Sequence, residues 1–138
     1  MEIPRHWRNQ KIRYALVGAR CEGCQKYLMP PPGVCPGCGS ETLSEHQFSG
    51  RGTVYSYSTM VQGPQRFARQ LPFSVALIEL AEGPRIVAQL CDLGDLKPTV
   101  GMPVEMVTRK LHQDGSDGLI VYGYKFRPVL PCMDATAE

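Results

Sequence analysis

The second half of the chain alternates residue types with a period of two. Residues 53–60 alternate threonine and tyrosine with valine, serine and methionine, and residues 73–78 alternate phenylalanine, valine and leucine with serine, alanine and isoleucine. This period places successive side chains on opposite faces of a strand, and clusters of Gly, Pro and Asp separate the segments. The pattern predicts five strands, over residues 53–60, 73–78, 85–90, 104–111 and 119–129.

Five strands within about 80 residues are typical of a small closed Greek-key barrel, for which the OB-fold is the best-known five-stranded example. We therefore expect a mainly β protein whose OB-fold barrel spans residues 49–130. A fragment of a β-sandwich is the structural alternative. Residues 131–138 have neither periodicity nor bulk, and we expect them to form a disordered tail.

The first 48 residues follow a different pattern. Pro4 stands at a possible helix start, and Ile3 and Trp7 would share one face of a helix because they are four residues apart. We predict a short amphipathic helix over residues 5–12. A strand over residues 14–20 would follow it and lead directly into the cysteines.

Two Cys-x-x-Cys pairs, separated by ten residues, carry the strongest chemical signal in the chain. This spacing is typical of a zinc ribbon, because each pair can place two thiolates on one ion. Four thiolates leave no open coordination position, so we expect one structural zinc ion rather than a catalytic one. A disulfide framework or four free thiols is the alternative. The predicted ligands are Cys21, Cys24, Cys35 and Cys38.

Composition narrows the class of protein. Hydrophobic residues make up 43% and charged residues 20% of the 138 residues, which is the balance of a folded domain. The longest apolar runs have four or five residues, far fewer than the roughly 18 that span a bilayer. The N-terminus is charged from its second residue and leads into no apolar signal core, so we expect a cytoplasmic protein.

No pattern of catalytic residues is recognisable. The three histidines, His6, His46 and His112, are scattered, and none has a serine or carboxylate at a spacing typical of a triad. Cys91 has no neighbouring histidine that would activate it as a nucleophile. The sequence therefore gives no support to an independent enzyme.

The order of a short helix, a four-cysteine ribbon and a five-stranded barrel resembles the acyl-CoA-associated zinc-ribbon/OB-fold family, a domain of unknown function that accompanies thiolase-superfamily enzymes. The resemblance covers about residues 5–130. It rests on His6-Trp7, Arg20-Cys21-Glu22-Gly23-Cys24, Pro30-Pro31, Cys35-Pro36-Gly37-Cys38-Gly39, Gly52-Thr53-Val54-Tyr55-Ser56 and Tyr124-Lys125-Phe126-Arg127-Pro128. Gln25 departs from the pattern, because a glycine often follows the first cysteine pair.

The resemblance implies a non-catalytic scaffold subunit in a complex with a thiolase-superfamily enzyme. Family members look like partners of acetoacetyl-CoA thiolase with hydroxymethylglutaryl-CoA synthase, of acyltransferases, and of thiolase-like aldolases. It also implies coenzyme A or an acyl-CoA as a candidate ligand. We expect a structural zinc in the ribbon, and a docking surface on the barrel.

A long loop over residues 61–72 carries candidate contacts for coenzyme A, since Arg66 and Arg69 flank Phe67. The phosphate groups of coenzyme A require cations, and its pantetheine arm requires an apolar groove. Lys125 and Arg127 add two cations to one face of the last predicted strand. The alternative is a solvated loop that rests its aromatic ring on the barrel, together with a solvated strand face.

A second hypothesis is a module that binds single-stranded nucleic acid, because OB barrels stack bases on exposed aromatic rings. Its platform would be Tyr55, Tyr57, Tyr122 and Tyr124. The charge distribution opposes it: residues 51–138 carry nine Lys/Arg and nine Asp/Glu, and residues 1–50 carry six and four. Binding to a polyphosphate requires clustered, uncompensated cations.

Overall fold

The N-terminal part of the protein is a pair of short helices followed by a small sheet. The structure is a computed structural model that describes residues 3–130, so the predicted tail over 131–138 lies outside the described residues. The three strands are antiparallel and lie in the order β2-β1-β3. The elements are α1 (Ile3–Arg8), α2 (Gln10–Ala15), β1 (Val17–Cys21), β2 (Tyr27–Leu28) and β3 (Leu43–Gln47).

The C-terminal part is a closed five-stranded barrel in the order β4-β5-β6-β8-β7. Neighbouring strands are antiparallel except for β6 and β8, which are parallel. The prediction of a mainly β protein with a ribbon and a five-stranded barrel is therefore confirmed. The elements are β4 (Arg51–Met60), a 3-10 helix (Gln65–Gln70), β5 (Phe73–Leu80), β6 (Arg85–Leu90), β7 (Pro103–Gln113) and β8 (Ile120–Pro128).

The barrel core follows from the period of two. Along β5, every second residue from Ser74 to Leu80 is buried and the others are partly exposed. Phe126 of β8 is fully buried, and Leu16 and Phe48 from the N-terminal part pack in the same cluster. Burying one large aliphatic or aromatic side chain contributes about 1.5–3 kcal/mol. The N-terminal part therefore packs into the barrel core through Leu16 and Phe48, and Cys21, Leu28 and Cys35 form a separate small cluster in the ribbon.

The N-terminal helix differs from its prediction. Helical structure extends over residues 3–15 instead of 5–12, and it is divided into two segments at Asn9, whose backbone has φ −93° and ψ 9°. The Asn9 amide still donates to the Arg5 carbonyl at 3.2 Å. The division is therefore a local distortion within one helical stretch. Among residues 3–130, no helix is both long and apolar enough to cross a membrane.

The strand predicted over residues 14–20 begins later, at Val17. Leu16 explains the difference, because its side chain is fully buried in the barrel core. Its backbone is left-handed, with φ 52° and ψ 50°, and this conformation ends α2 and turns the chain into β1. The contact is tertiary, so the local sequence pattern carries no sign of it.

Candidate functional site

The four predicted cysteine ligands converge at one point in the ribbon. Their Sγ atoms all lie within 4.8 Å of one another. Cys21 Sγ is 3.4 Å from Cys38 Sγ, and Cys24 Sγ is 3.6 Å from Cys35 Sγ. These distances exceed the length of a disulfide bond, about 2.05 Å, and all four cysteines are free. The disulfide alternative is therefore wrong for these residues.

The two cysteine pairs lie in turns of the same construction. The Gln25 amide donates to the Cys21 carbonyl at 3.0 Å, and the Gly39 amide donates to the Cys35 carbonyl at 2.9 Å. Both donors have left-handed backbones, with φ 62° at Gln25 and φ 74° at Gly39. Gln25 thus adopts the conformation that Gly39 adopts without steric cost. The departure at Gln25 leaves the turn intact.

Hydrogen bonds from backbone amides prepare two of the thiols for ionisation. The amides of Cys38 and Gly37 lower the pKa of the Cys35 thiol to about 6, and the Cys24 amide is the main cause of a lowered pKa at Cys21. At Cys24, the Lys26 amide lowers the pKa, but the neighbouring sulfurs and desolvation outweigh it and raise the pKa to about 11. Crowded sulfurs resist a further negative charge unless a cation lies between them.

The donor set fits zinc. A tetrahedral ion with Zn–S bonds of about 2.3 Å places its sulfurs about 3.8 Å apart, close to the 3.4 and 3.6 Å separations in the ribbon. Cys21 and Cys35 are buried, and Cys24 and Cys38 are exposed. Four sulfurs would saturate the ion, so the arrangement offers it no position for water or substrate.

A second feature is a polar cleft on the barrel with a volume of about 1070 Å³. The 3-10 helix borders it on one side, and the turn between β7 and β8 borders it on the other. Four lysines and arginines contribute to its lining, whereas Asp114 is the single acidic residue that does so among residues 3–130. The lining consists of Gln65, Arg66, Arg69, Gln70, Gln89, Lys110, His112, Gln113, Asp114, Gly115, Ser116 and Lys125.

Lys125 is buried in this cleft, with only 7% of its surface exposed. Its Nζ donates to Oε1 of Gln70 at 3.3 Å, and Gln89 donates to the same oxygen at 3.1 Å. Gln70 in turn donates to the Leu111 carbonyl at 2.7 Å. The alternative of a solvated strand face is wrong for Lys125, because Gln70 covers it. Burial lowers the pKa of this amine, and the like charge of Arg109 lowers it further.

The structure brings together only some of the predicted contacts for coenzyme A. Arg66, Arg69 and Lys125 line the cleft. Phe67 lies beside it, with its ring 6.5 Å from the ring of His112 and the Arg66 guanidinium 5.0 Å from its centre. Arg127 does not line the cleft and forms an ion pair with Glu105 at 2.9 Å. The predicted loop also contains the 3-10 helix, whose two cations, Arg66 and Arg69, line the cleft.

Sequence reasoning missed nine of the twelve residues within 3–130 that line the cleft, among them Lys110 and His112. Lys110 and His112 lie on either side of an irregularity in the pairing of β7 with β8. An extra residue at this point changes the face on which the following side chains lie. The sequence shows that Lys110 is charged, but the position of Lys110 relative to Arg66 depends on the pairing of β7 with β8.

The four tyrosines of the nucleic-acid hypothesis lie on β4 and β8, which are separated by β7 in the barrel order. Tyr55 contacts the Arg85 guanidinium, which is 3.9 Å from its ring centre. Tyr124 is partly buried and packs against the barrel core. The tyrosines therefore do not form one continuous stacking face.

Comparison with known proteins identifies the family. Residues 13–44 match the ChsH2 rubredoxin-like zinc ribbon domain, and residues 45–109 match the ChsH2 C-terminal OB-fold domain. The chain is 43% identical over 130 residues to a DUF35 domain-containing scaffold protein of Pyrococcus furiosus, and the match covers 94% of this chain and 95% of the relative. The chain belongs to the DUF35/ChsH2 family. The resemblance inferred from the sequence is thereby confirmed.

The chain is also similar to a thiolase subunit and to a solved aldolase structure. The chain is 32% identical over 122 residues to the benzoylsuccinyl-CoA thiolase subunit BbsA of Geobacter metallireducens, with 83% of this chain and 75% of the relative covered. A solved structure described as the Ltp2-ChsH2(DUF35) aldolase matches with a TM-score of 0.71 and 32% identity, over 94% of both chains. All four cysteines fall within the matched ribbon domain.

Proposed function

We propose that this chain is a non-catalytic scaffold subunit of a thiolase-superfamily acyl-CoA enzyme complex. The observation that carries the proposal is the near full-length similarity to the Pyrococcus furiosus scaffold protein, at 43% identity. Similarity to the thiolase subunit BbsA and to the Ltp2-ChsH2(DUF35) aldolase supports the class of partner enzyme. A cytoplasmic location remains a prediction of the proposal.

In this proposal one zinc ion has a structural role in the ribbon. Cys21, Cys24, Cys35 and Cys38 would hold it, and a saturated tetrahedral zinc ion supplies cross-linking rather than activation of water. The three-stranded sheet is small, since β2 has only two residues. Metal binding would therefore supply much of the free energy that folds the ribbon. It would also remove the four clustered thiols from covalent chemistry.

The cleft is the proposed contact for coenzyme A. Arg66, Arg69 and Lys110 are suited to its phosphate groups, because charge-assisted hydrogen bonds to phosphate are strong. The cleft volume of about 1070 Å³ is slightly above the usual range for small-molecule sites, roughly 300–1,000 Å³. Phe67 beside the cleft would contact the less polar part of the ligand. A bound cofactor would then be held between scaffold and enzyme.

Enzyme kinetics test the proposal. The turnover of an acyl-CoA by a purified thiolase-superfamily enzyme of the source organism is measured with and without this chain, and the chain is also assayed alone. We expect no turnover by the chain alone and an increase in its presence, because a scaffold acts through proximity and orientation. Turnover of acyl-CoA by the isolated chain would contradict the proposal.

A further inference from the structure

An exposed apolar surface lies at the N-terminus, away from the cysteines and beside the cleft: the ring of His6, which lines its cavity, is 6.4 Å from the ring of His112 in the cleft. We call it the Trp7 surface and define it as Ile3, Trp7, Tyr14, Ile120 and Tyr122. The exposed fractions of these residues are 57%, 75%, 40%, 38% and 42% respectively. All five line one shallow cavity of about 160 Å³ between the helices and β8. A contiguous exposed patch of large apolar residues marks an interaction site more often than a scattered set does.

The helix that presents Trp7 has little internal support. None of the six residues of α1 is buried. Helices shorter than about 12 residues are marginal in water, because most helical stability in proteins comes from packing one face against a partner. Within residues 3–130, packing against the Trp7 side of α1 is incomplete, since Ile3 and Trp7 both stay more than half exposed. Its apolar face is therefore available to another molecule.

The charges around the Trp7 surface indicate the charge that a partner surface should carry. Residues 3–15 contain four Lys/Arg and His6 but no Asp or Glu. Lys11 forms an exposed ion pair with Glu45 at 3.3 Å, and Arg13 contacts His6 at 2.6 Å. A second copy of this chain, packed through a twofold axis, would place one basic surface against another. An acidic surface is the complementary partner.

The shape and residue types favour a protein over an anionic membrane. Tryptophan, tyrosine and arginine are the residues most enriched among interface anchors, and Trp7, Tyr14, Tyr122 and Arg13 all line the cavity. The cavity beside the protruding Trp7 ring could receive a side chain of a partner protein, while the Trp7 ring enters a pocket of that partner. A lipid surface would leave such a concavity unfilled.

We propose that the Trp7 surface docks on an acidic face of the partner enzyme, with Trp7 inserted in an apolar pocket of that face. This inference rests on the proposed scaffold function and names the part of the chain that would make the contact. It places the enzyme contact on α1, α2 and the start of β8. The cleft would then border this contact, since its residue Gln113 pairs with Ile120 of the Trp7 surface.

The test is a binding titration with the purified thiolase-superfamily enzyme of the source organism. The variants are Trp7→Ala/Ile3→Ser in the surface and, as a matched control, Val100→Ser, which removes a side chain that is 70% exposed in the turn before β7. We expect the double variant to bind about 30-fold more weakly or worse, the loss typical of a removed anchor. The control should bind as the wild type does. Circular dichroism and zinc content verify that each variant is folded.

Because Trp7 is the only tryptophan, labelling with 5-fluorotryptophan gives a second measurement on the wild-type chain. Its single fluorine NMR signal should shift or broaden when the enzyme is added. If the wild type binds no such enzyme, the scaffold function fails. If the wild type binds and the double variant binds equally well, the scaffold function stands and the docking inference is wrong.

Separate measurements test whether the Trp7 surface instead binds a second copy of this chain or a lipid membrane. A dimer of this chain that the double variant abolishes would overturn the inference, as would Trp7-dependent binding to phosphatidylglycerol vesicles with no effect of the variant on enzyme binding. Arg8→Glu should reduce the association rate with the enzyme, and the reduction should shrink as salt is raised. An unchanged rate at low salt would contradict the acidic partner.

Discussion

The two equivalent turns of the ribbon permit a sharp prediction about stability. Gly39 has φ 74°, and a Cβ added to it would meet no atom within 4 Å. A Gly39→Ala substitution therefore introduces no clash, and its cost comes from the left-handed backbone alone. That cost is about 1–2 kcal/mol for a residue with a Cβ. In the proposed zinc ribbon folding and metal binding are coupled, so we expect zinc affinity to fall by about 5- to 30-fold.

Gln25 provides the reciprocal change, since its φ of 62° already carries this cost. Its side chain offsets part of it by accepting a hydrogen bond from Arg20 and donating to the Glu22 carbonyl at 3.4 Å. These contacts are exposed and contribute little. We expect Gln25→Gly to stabilise the zinc-loaded ribbon by about 0.5 kcal/mol, the difference between relief of the backbone cost and these losses.

The assay is urea unfolding of both variants at a fixed free zinc concentration, combined with competition against a chelator of known affinity. The free energy of unfolding and the zinc affinity should change together: both should fall for Gly39→Ala and both should rise for Gln25→Gly. Destabilisation by both substitutions would refute the reasoning, because it would mean that side-chain contacts rather than backbone conformation control the turns. A Gly39→Ala variant with unchanged zinc affinity would do so equally.

Three further predictions follow from the ribbon, the core and the cleft. Cys35→Ser should lower bound zinc, measured by elemental analysis, from about one equivalent to less than half, since the ion loses one of four thiolates; full retention would argue against the ligand set. Phe126→Ala should cost about 3–5 kcal/mol of unfolding free energy, because Phe126 is fully buried; a loss below 1 kcal/mol in denaturant titration would place it outside the core. Arg66→Ala/Arg69→Ala should weaken coenzyme A binding by at least tenfold in calorimetry. Arg127 lies outside the cleft, so Arg127→Gln should change the affinity by less than about twofold. A larger loss of affinity in Arg127→Gln than in the double variant would place the coenzyme A site elsewhere.

Local patterns predicted the parts of the fold that depend on local chemistry. The strand predicted over residues 85–90 is β6 with the same bounds, because alternation and flanking turns define it. The cysteine cluster could be predicted equally well, since the spacing of the four cysteines along the chain determines how they can meet. The end of α2 could not be predicted from local pattern, because Leu16 turns there to reach a core whose other buried members lie 32 or more positions later in the chain.

The cleft was only partly predictable for a similar reason. Arg66 and Arg69 are close in sequence, so their shared loop could be recognised. The burial of Lys125 depends on Gln70, which is 55 residues away. Arg127 is two residues from Lys125, yet its pairing with Glu105 on β7 removes it from the cleft. Contacts between distant strands decide which charges of one strand face can reach a ligand.

The central claim is that this chain is a scaffold subunit, and the most direct measurement is the molar mass of its complex. The zinc-loaded chain is mixed with the purified thiolase-superfamily enzyme of the source organism and analysed by size-exclusion chromatography with light scattering. We predict one stable peak that contains both proteins at a fixed ratio. Separate elution of the two proteins at micromolar concentration, with zinc bound and the chain folded, would contradict the claim.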